Sequence, residues 1–585
     1  DVDIAVTVGT TTPAGDTVLV SYVTAPADRV PAPEHILDHA AARLPSHLVP
    51  HTVVVLDELP MTRTGKVDRR ALPAVEISPA REYVGPRSRL EGVVAQIFAD
   101  VLGLREVSVY DGFFELGGSS LSATKVAYRV EQHVGRRVPM SLLFENPTVA
   151  DFVAAVATAD RAVSGRMLTP RERTHVVDLT GVQRGLWSIN QTDPASPAYN
   201  VGLTLELDGR LDVPALTGAV GDLVARHESL RTRYPLHDGT PVQLIIPAAD
   251  AVHALRIPLV DLAGDRPDMP AEDRLGAEVA AVVGAGFDLT GPPAVRATIL
   301  RVSPDRHLLV FVVHHINADG GSLGPLARDL AEFYSARISG RAGSRSAVGQ
   351  RVQFADYAIW HAERLQTTRP DGETERQRQL RYWGQRLDRA GEPATIPTDR
   401  PRPVEPRHVG GVVDLDIPSS TATMLRQMAR VGNTTQFAVL HAAIAVLIGR
   451  LSGSDDIVIG TPFAGRDDPA LTDMVGMLAT TVPLRTRLRL DEPFAELLRR
   501  VHTDDFADLG HTDVSFDEIV DHLARTDRTS VRRGRRNPLF SVMLSYQNLE
   551  FPDIELDGLH VRPRLPESFP AKVDLEVMLY PGDPD

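Results

Sequence analysis

The chain has 585 residues, a length that predicts about four domains at roughly 150 residues each. Its 43% hydrophobic and 24% charged residues are typical of globular proteins, which excludes wholesale disorder and fibrous repeats. The net charge of −15 argues against a nucleic-acid surface, and the absence of cysteine excludes disulfides, cysteine-ligated zinc and a cysteine nucleophile.

Membrane and targeting signals are also missing from the sequence. No apolar run approaches the roughly 18 residues that a membrane span needs, and no charged-then-apolar leader opens the chain. We therefore expect a cytoplasmic protein whose partners include neither a membrane nor nucleic acid. Because cysteine is absent, any thiol chemistry needs sulfur supplied by a cofactor.

The first predicted unit covers residues 1–75 and mixes strands with a helix. Alternating or continuous apolar residues predict strands over 4–8, 18–23 and 53–56, and a helix is predicted over 34–44. A unit of this size is too small to hold a large site alone. Because the chain begins inside a strand-like stretch without a methionine, we expect it to be a fragment of a longer polypeptide.

The second predicted unit is a four-helix bundle over residues 85–158. Apolar residues at three- and four-residue steps predict an amphipathic helix beginning near Leu90. Further helices are predicted from Ser120 to about His133, over the short stretch 140–144, and after the Asn-Pro-Thr stop-and-start signal that ends at Thr148.

The rest of the chain is predicted to be a two-lobed α/β region. Residues 159–175 are polar and aperiodic, which indicates a linker. Strand and helix patterns alternate over 176–585, with lobes expected over about 176–345 and 346–585. The predicted fold class is therefore a multidomain α/β plus α chain.

A serine motif lies where the second bundle helix begins. Residues 111–126 include Gly-Gly-Ser-Ser, and a serine there is often only a helix cap, although a helix N-terminus also favours a phosphate. The stretch Asp-Gly-Phe-Phe-Glu-Leu-Gly-Gly-Ser-Ser-Leu resembles the carrier-protein motif of nonribosomal peptide synthetases. The resemblance implies that Ser120 carries 4′-phosphopantetheine, attached by a phosphopantetheinyl transferase, and that this arm supplies the missing sulfur. Ser119 is the rival acceptor.

A lysine motif lies at the end of the first unit. Lys66 follows a Thr-Gly turn, where a lysine is usually solvated surface. Together, residues 42–50 and 57–72 resemble the small C-terminal subdomain of an adenylation domain, in which the matching lysine binds the acyl-adenylate. The resemblance implies a vestigial adenylate-binding role for Lys66 and partners that include an upstream adenylation core and further synthetase modules. Since the nucleotide-binding core is missing, no independent adenylation activity is expected.

A third motif contains two histidines and an aspartate. Continuous apolar residues over 307–313 predict a strand buried on both faces, which leads into His314-His315-Ile-Asn-Ala-Asp319-Gly320-Gly and then a helix that Ser322 would cap. Adjacent strand residues point to opposite faces, so we expect no metal site here.

This motif resembles the His-His-x-x-x-Asp-Gly signature of peptide-synthetase condensation domains, whose fold is related to chloramphenicol acetyltransferase. Further family-like motifs follow in the same order, at residues 181–187, 226–233, 354–360, 459–466, 474–476, 511–516 and 537–540. The resemblance implies a condensation domain over 176–585 that is shortened at its C-terminal end. It joins the thioester held on Ser120 to an amine brought by a downstream aminoacyl carrier protein.

The reaction assigns roles to individual residues of this motif. An amine that attacks a thioester loses a proton, and we expect His315 to position the amine and accept that proton. Holding both substrates together contributes up to about 7–11 kcal/mol. The backbone N–H of Gly320 is expected to stabilise the oxyanion. Asp319 is expected to be structural, with the resemblance implying an ion pair to Arg466, and His314 is expected to be a structural core residue.

The sequence departs from the family in one place and leaves two alternatives open. Met477, Leu478 and Thr480 replace the usual aromatic pair and asparagine, which predicts an altered acceptor preference. The Asp-based signature of heterocyclisation domains and the Glu-Gly-His-Gly-Arg-like stretch of epimerisation domains are absent, so both activities are disfavoured. A catalytically silent carrier-binding scaffold and an ester-forming domain remain as alternatives.

Overall fold

The fold is given by a computed structural model of the chain. It describes residues 4–580 except 12–16, 26–32, 34–35, 37–39, 41–49, 51, 57–58, 61–66, 68–71, 74–82, 114–115, 117–119, 135–137, 139–141, 144–145, 159–167, 263–270, 341–351, 370, 402–409, 433, 467, 490, 527–536, 548–553, 555 and 565–570. The chain divides into two compact units, Asp1–Arg161 with Pro418–Gln436, and Ala162–Ile417 with Phe437–Asp585.

A three-stranded sheet opens the first unit. Its strands are β1 (Ile4–Thr11), β2 (Thr17–Thr24) and β3 (Thr52–Val55). The central β2 is antiparallel to β1 and parallel to β3, and it buries Val20 and Tyr22 in a small core. The three predicted strands are confirmed. The helix predicted over 34–44 lies mostly outside the described residues, and Lys66 lies outside them entirely.

A helical bundle follows in the same unit. Its helices are α1 (Arg89–Leu102), α2 (Ser120–Val134) and α3 (Val149–Thr158). Phe98, Phe113 and Phe152 are fully buried at its centre, and the rings of Phe98 and Phe113 meet edge to face at 4.9 Å. Three predicted helices are confirmed. Of the short helix predicted over 140–144, the described residues 142–143 are helical.

The second unit alternates strands and helices. Its first part contains β4 (Val176–Asp178), α4 (Gly181–Thr192), β5 (Asn200–Gly209), α5 (Val213–Arg226), a 3-10 turn (Glu228–Arg231), β6 (Thr232–Arg233), β7 (Leu236–His237), β8 (Thr240–Ile245), α6 (Ala248–Ala254), β9 (Leu259–Asp261), α7 (Ala271–Gly284), β10 (Val295–Ser303), β11 (Arg306–His314), a second 3-10 turn (Gly320–Ser322), α8 (Leu323–Ile338), α9 (Phe354–Gln366) and α10 (Glu375–Arg386).

The remaining elements lie beyond residue 410. They are α11 (Ser419–Val431), which belongs to the first unit, then α12 (Gln436–Ser452), β12 (Asp456–Phe463), α13 (Pro469–Thr472), β13 (Thr480–Arg487), α14 (Phe494–Leu509), α15 (Phe516–Arg525), β14 (Val542–Tyr546), β15 (Leu559–Pro563) and β16 (Leu575–Leu579).

Strand β11 is the centre of a five-stranded sheet with the order β15-β5-β11-β10-β9. It pairs antiparallel with both β5 and β10, and its residues from His307 to His314 are all buried. Its alternate residues enter two separate cores, Leu309, Phe311 and Val313 in one and Leu308, Val310 and Val312 in the other. The predicted strand with two buried faces is confirmed, because helices cover both sides of the sheet.

A second mixed sheet has the order β13-β12-β14-β16. Strand β12 is antiparallel to β13, while β14 runs parallel to both β12 and β16. The predicted α/β character is confirmed by these two sheets. Strand β15 lies within the predicted lobe 346–585, yet it pairs with β5 and completes the sheet of the other lobe. In the described part of the chain, no helix has both the length and the apolarity to cross a membrane.

Candidate active site

The first histidine of the motif is the last residue of β11. His314 is 2% exposed, and its Nδ1 accepts a hydrogen bond of 3.1 Å from the backbone N–H of Ile316. Burial, followed by the nearby His315 and Lys572, lowers the pKa of His314 to about 3. His314 is therefore an uncharged part of the turn.

The second histidine follows the end of the strand and is half-buried. Its backbone N–H donates to the carbonyl of Tyr199 at 2.7 Å, and its Nδ1 lies 3.1 Å from the sulfur of Met477. Because a thioether sulfur has no proton to donate, this contact places the proton of His315 on Nδ1. The lone pair is then on Nε2, which is the arrangement that a general base needs.

The charge state of His315 follows from its surroundings. Burial is the largest effect and the positive charge of Lys572 the next, and together they lower the pKa of His315 to about 4. Asp319 and the backbone carbonyls of His315 and Ala318 act in the opposite direction. The imidazole is thus uncharged at neutral pH and available to accept a proton.

Asp319 holds the turn that follows His315. Its carboxylate is 1% exposed and accepts five hydrogen bonds. Oδ1 accepts from the N–H and the hydroxyl of Ser322 and from Nη2 of Arg466 at 2.5 Å, while Oδ2 accepts from the N–H groups of Leu478 and Ala479 at 3.0 Å each. Every oxygen of this buried charge is therefore satisfied by protein donors.

Arg466 is the second half of the predicted ion pair. Its Nη1 donates to the carbonyls of Leu471 and Met474 at 2.6 and 2.8 Å, so the guanidinium orders the segment before β13 as well as the carboxylate. A Cβ on Gly321 would lie 2.2 Å from Nε of Arg466, so only glycine allows this approach.

The start of the helix that follows the motif differs from the prediction at Ser322. The expectation that Ser322 caps α8 is wrong, because its side chain makes no cap bond to the helix. Its hydroxyl instead donates to Oδ1 of Asp319 at 2.8 Å and contacts the backbone carbonyl and N–H of Gly476 at 3.1 and 3.2 Å. Within the described chain, the N–H groups of Gly320 and Gly321 make no hydrogen bond to protein, and Gly320 is exposed.

A buried polar network beneath the turn is missing from the sequence-based prediction. Gln183 on α4 is fully buried, and its Nε2 donates to the carbonyl of Ile316 at 3.3 Å and to the hydroxyl of Tyr234 at 3.4 Å. That hydroxyl donates to Oδ1 of Asn317 at 2.6 Å. Gln183 lies inside the motif at 181–187, a signal that could have identified it. These bonds hold the two residues that follow His315.

The structure describes the other candidate residues only in part. Ser120 is the first residue of α2, whose first turn holds no acidic side chain, so the position suits a phosphate ester. Ser119 lies outside the described residues. Among those that are described, no group of three or more His, Asp or Glu side chains is arranged to hold a metal ion. Ser120 and His315 belong to different compact units.

Three protein-family models match the chain. Residues 1–66 match the AMP-binding enzyme C-terminal domain, residues 92–156 the phosphopantetheine attachment site, and residues 173–581 the condensation domain. The third match covers more than half of the chain. The carrier unit therefore belongs to a class that bears covalent 4′-phosphopantetheine.

The sequence similarity to curated relatives covers almost the whole chain. A dimodular nonribosomal peptide synthase of Bacillus subtilis (strain 168) is 37% identical over 96% of this chain, and malpinin synthetase of Mortierella alpina is 34% identical over 93%. The chain spans only 23% and 7% of the lengths of these two relatives.

Solved structures also resemble the chain. The X-domain from teicoplanin biosynthesis is 30% identical with a TM-score of 0.62, covering 71% of this chain and 87% of that one, and it is also known in a complex with OxyB. The first condensation domain of the calcium-dependent antibiotic synthetase, in complex with a substrate analogue, has a TM-score of 0.55 at 22% identity, covering 69% and 88%. The second likeness shows the fold alone.

The buried Asp319 carboxylate yields a stability prediction. Replacing Asp319 with alanine leaves Arg466 buried without its partner, so we expect a loss of about 3–5 kcal/mol in the free energy of unfolding of the second unit. The three tryptophans of the chain, Trp187, Trp360 and Trp383, all lie in this unit, so their fluorescence during urea unfolding measures the change.

A matched control uses an exposed ion pair. Asp261 lies 3.1 Å from Arg301, and the two side chains are 52% and 36% exposed. Because solvent screens such a pair, Asp261→Ala should cost less than about 1 kcal/mol. Equal losses for the two variants would contradict the structural role of Asp319.

Proposed function

The chain belongs to the condensation-domain family of nonribosomal peptide synthetases, and we propose that it forms an amide bond between an acyl thioester and a second, carrier-bound amine. The observation that carries this proposal is the contact of His315 Nδ1 with Met477, which leaves Nε2 as a proton acceptor, and the lowered pKa of His315 agrees with it. An imidazole in this state matches a reaction in which an amine must lose a proton.

The proposed step balances without a further reactant. The amine nitrogen attacks the thioester carbonyl, the new C–N bond forms, the C–S bond breaks, and His315 takes the amine proton through Nε2. The thiolate leaves with little acid assistance, because an ordinary thiol has a pKa near 8.5, and the proton held by His315 then passes to the sulfur. His315 thus acts as base and as the group that orients the amine.

The turn supplies two further functions in this proposal. The exposed N–H of Gly320, together with that of Gly321, donates to the oxyanion that forms when the amine attacks. Asp319 and Arg466 touch neither substrate in this assignment. Their pairing at 2.5 Å keeps the turn, and with it His315, in one position.

The bundle provides the donor in this proposal. We assign the phosphopantetheine attachment to the hydroxyl of Ser120, because it begins α2 and aligns with the carrier motif. When attached, the group supplies a thiol that a chain without cysteine lacks. Its partners would be a phosphopantetheinyl transferase, an upstream adenylation core and the carrier that delivers the amine. Lys66 remains a proposed vestige of adenylate binding.

A second candidate function is a silent scaffold that binds proteins without joining substrates. The 30% identity to an X-domain that is known in complex with OxyB favours this candidate. The complete constellation of His315, Asp319 and Arg466 favours catalysis instead. A third possibility, an ester-forming domain, differs from the proposed amide-forming domain only in the acceptor. Mass analysis of the products obtained with amine and hydroxyl acceptors distinguishes amide formation from ester formation.

The attachment prediction compares two adjacent serines. Incubation with a phosphopantetheinyl transferase and coenzyme A should add the mass of one phosphopantetheine group to the wild-type chain and to Ser119→Ala, but none to Ser120→Ala. Intact-protein mass spectrometry checks this result. Modification of Ser120→Ala at the wild-type level would remove Ser120 from its assigned role.

The catalytic prediction concerns the base. In His315→Ala, amide formation between a loaded donor and a loaded acceptor should fall by about 10²–10⁴-fold, because the amine proton loses its acceptor. Loading of Ser120 should be unchanged and serves as the control. Wild-type turnover by this variant would exclude His315 from the mechanism, and a wild-type chain that forms no product would favour the scaffold.

The pH prediction follows from two pKa values. The α-amine has a pKa of about 7.7–8.0, so the single-turnover rate should rise about tenfold per pH unit between about pH 5 and 7. The lowered pKa of His315, about 4, means that the base is already uncharged in this range and adds no second slope. If the rate instead rose about a hundredfold per pH unit below about pH 6.5, the histidine would have an ordinary pKa and the structure would be contradicted.

A further inference from the structure

The backbone around His315 is held by separate hydrogen bonds on its two sides. The N–H of His315 donates to the carbonyl of Tyr199 at 2.7 Å. Two residues later, the N–H of Asn317 donates to the carbonyl of His314 at 2.9 Å, which closes a tight turn around the proposed base. The side chain of Asn317 is fully buried, so its polar atoms depend on partners within the protein.

A tyrosine hydroxyl satisfies the side-chain oxygen of Asn317. Tyr234 directly follows β6 and is 1% exposed, and its hydroxyl donates to Oδ1 of Asn317 at 2.6 Å. Among the described residues, no other donor reaches this oxygen. The amide nitrogen of the same side chain makes only a long contact of 3.5 Å to the carbonyl of Ala294. The hydroxyl of Tyr234 is therefore the main partner of the Asn317 side chain.

Tyr234 is itself fixed by hydrogen bonds at both ends. Its backbone N–H donates to the carbonyl of Leu289 at 2.8 Å, and its carbonyl accepts from Nε1 of Trp187 at 2.9 Å. At the other end, the hydroxyl accepts from Nε2 of Gln183 at 3.4 Å. The ring between these ends is packed in a hydrophobic core. The hydroxyl thus has one position, and the turn is held against it.

We propose that Tyr234 is a positioning residue of the condensation site, whose hydroxyl fixes the turn through Asn317 and thereby keeps the imidazole of His315 in its working position. This inference rests on the proposed role of His315 as the base. Without the hydroxyl, Oδ1 of Asn317 is left buried and unpaired, and the turn has to rearrange to relieve that cost. A catalytic group displaced by about 1 Å can lose about 100-fold in rate.

The first measurement observes His315 without any substrate. The full chain, with its 19 histidines labelled with ¹³C at Cε1, is studied by NMR, and the His315 signal is assigned by its loss in His315→Asn. Tyr234→Phe removes one oxygen atom and should shift or split this signal. In the background of Asn317→Leu, which removes the acceptor, Tyr234→Phe should cause no further shift.

A matched control removes an equally buried hydroxyl elsewhere in the second unit. Tyr334 on α8 is fully buried in a different core, and its hydroxyl accepts from the N–H of Asp212 at 3.2 Å. Tyr334→Phe should leave the His315 signal unchanged. Tryptophan fluorescence reports folding in every sample. Asn317→Leu breaks the same bond from its other side and replaces Tyr234→Phe if that variant does not fold.

The second measurement is single-turnover amide formation. Tyr234→Phe should lower the rate at saturating acceptor by about 10-fold to 100-fold while the acceptor concentration at half-maximal rate stays within about twofold, because the base moves and substrate binding does not. Tyr334→Phe should keep the wild-type rate within about twofold.

The outcomes separate this proposal from the proposed function. An unchanged His315 signal in folded Tyr234→Phe would overturn the positioning role, and so would an equal shift in Tyr334→Phe. A wild-type rate in a variant whose His315 signal has moved would overturn it as well. If the wild-type chain forms no amide, the proposed function fails, and the NMR comparison alone decides whether Tyr234 holds the imidazole.

Discussion

One buried carboxylate determines the geometry of the candidate site. Asp319 accepts hydrogen bonds from its own turn, from Arg466 and from the backbone before β13, and these donors come from parts of the chain about 150 residues apart. A buried charge tolerates no missing partner, since each lost donor leaves a desolvation cost unmet. The turn that bears His315 can therefore adopt few other arrangements while this carboxylate remains satisfied.

The chemistry of His315 depends on a balance that the same turn creates. Burial and Lys572 favour the uncharged imidazole, while Asp319 and two backbone carbonyls favour the protonated form. The first two effects are larger, so the imidazole of His315 is uncharged at neutral pH. Only the protonation of the amine then makes the rate depend on pH. Met477 completes this arrangement by contacting Nδ1.

Most of the family-like motifs contribute packing. A Cβ on Gly476 would lie 2.1 Å from Phe354, and one on Gly460 would lie 2.5 Å from Phe540, so each pair joins two motifs by close contact. Gly185 approaches Asp517 in the same manner. These close contacts fix the positions of the backbone segments that carry the motifs, while the proposed base lies in the turn after β11.

Local patterns in the sequence were sufficient for β11, for the helix that begins at Ser120 and for the turn containing His315, because periodicity and turn residues act over a few positions. The resemblance extended this to the ion pair of Asp319 with Arg466. The contact of His315 with Met477 and the network of Gln183 were decided by tertiary structure alone. Their partners are far apart in the chain, 162 residues for His315 and Met477, and local propensity carries no information about which distant side chains will meet. Ser322 shows the same limit. Its position favours a helix cap locally, but its hydroxyl bonds to Asp319 and to the carbonyl of Gly476, which is 154 residues away in the chain.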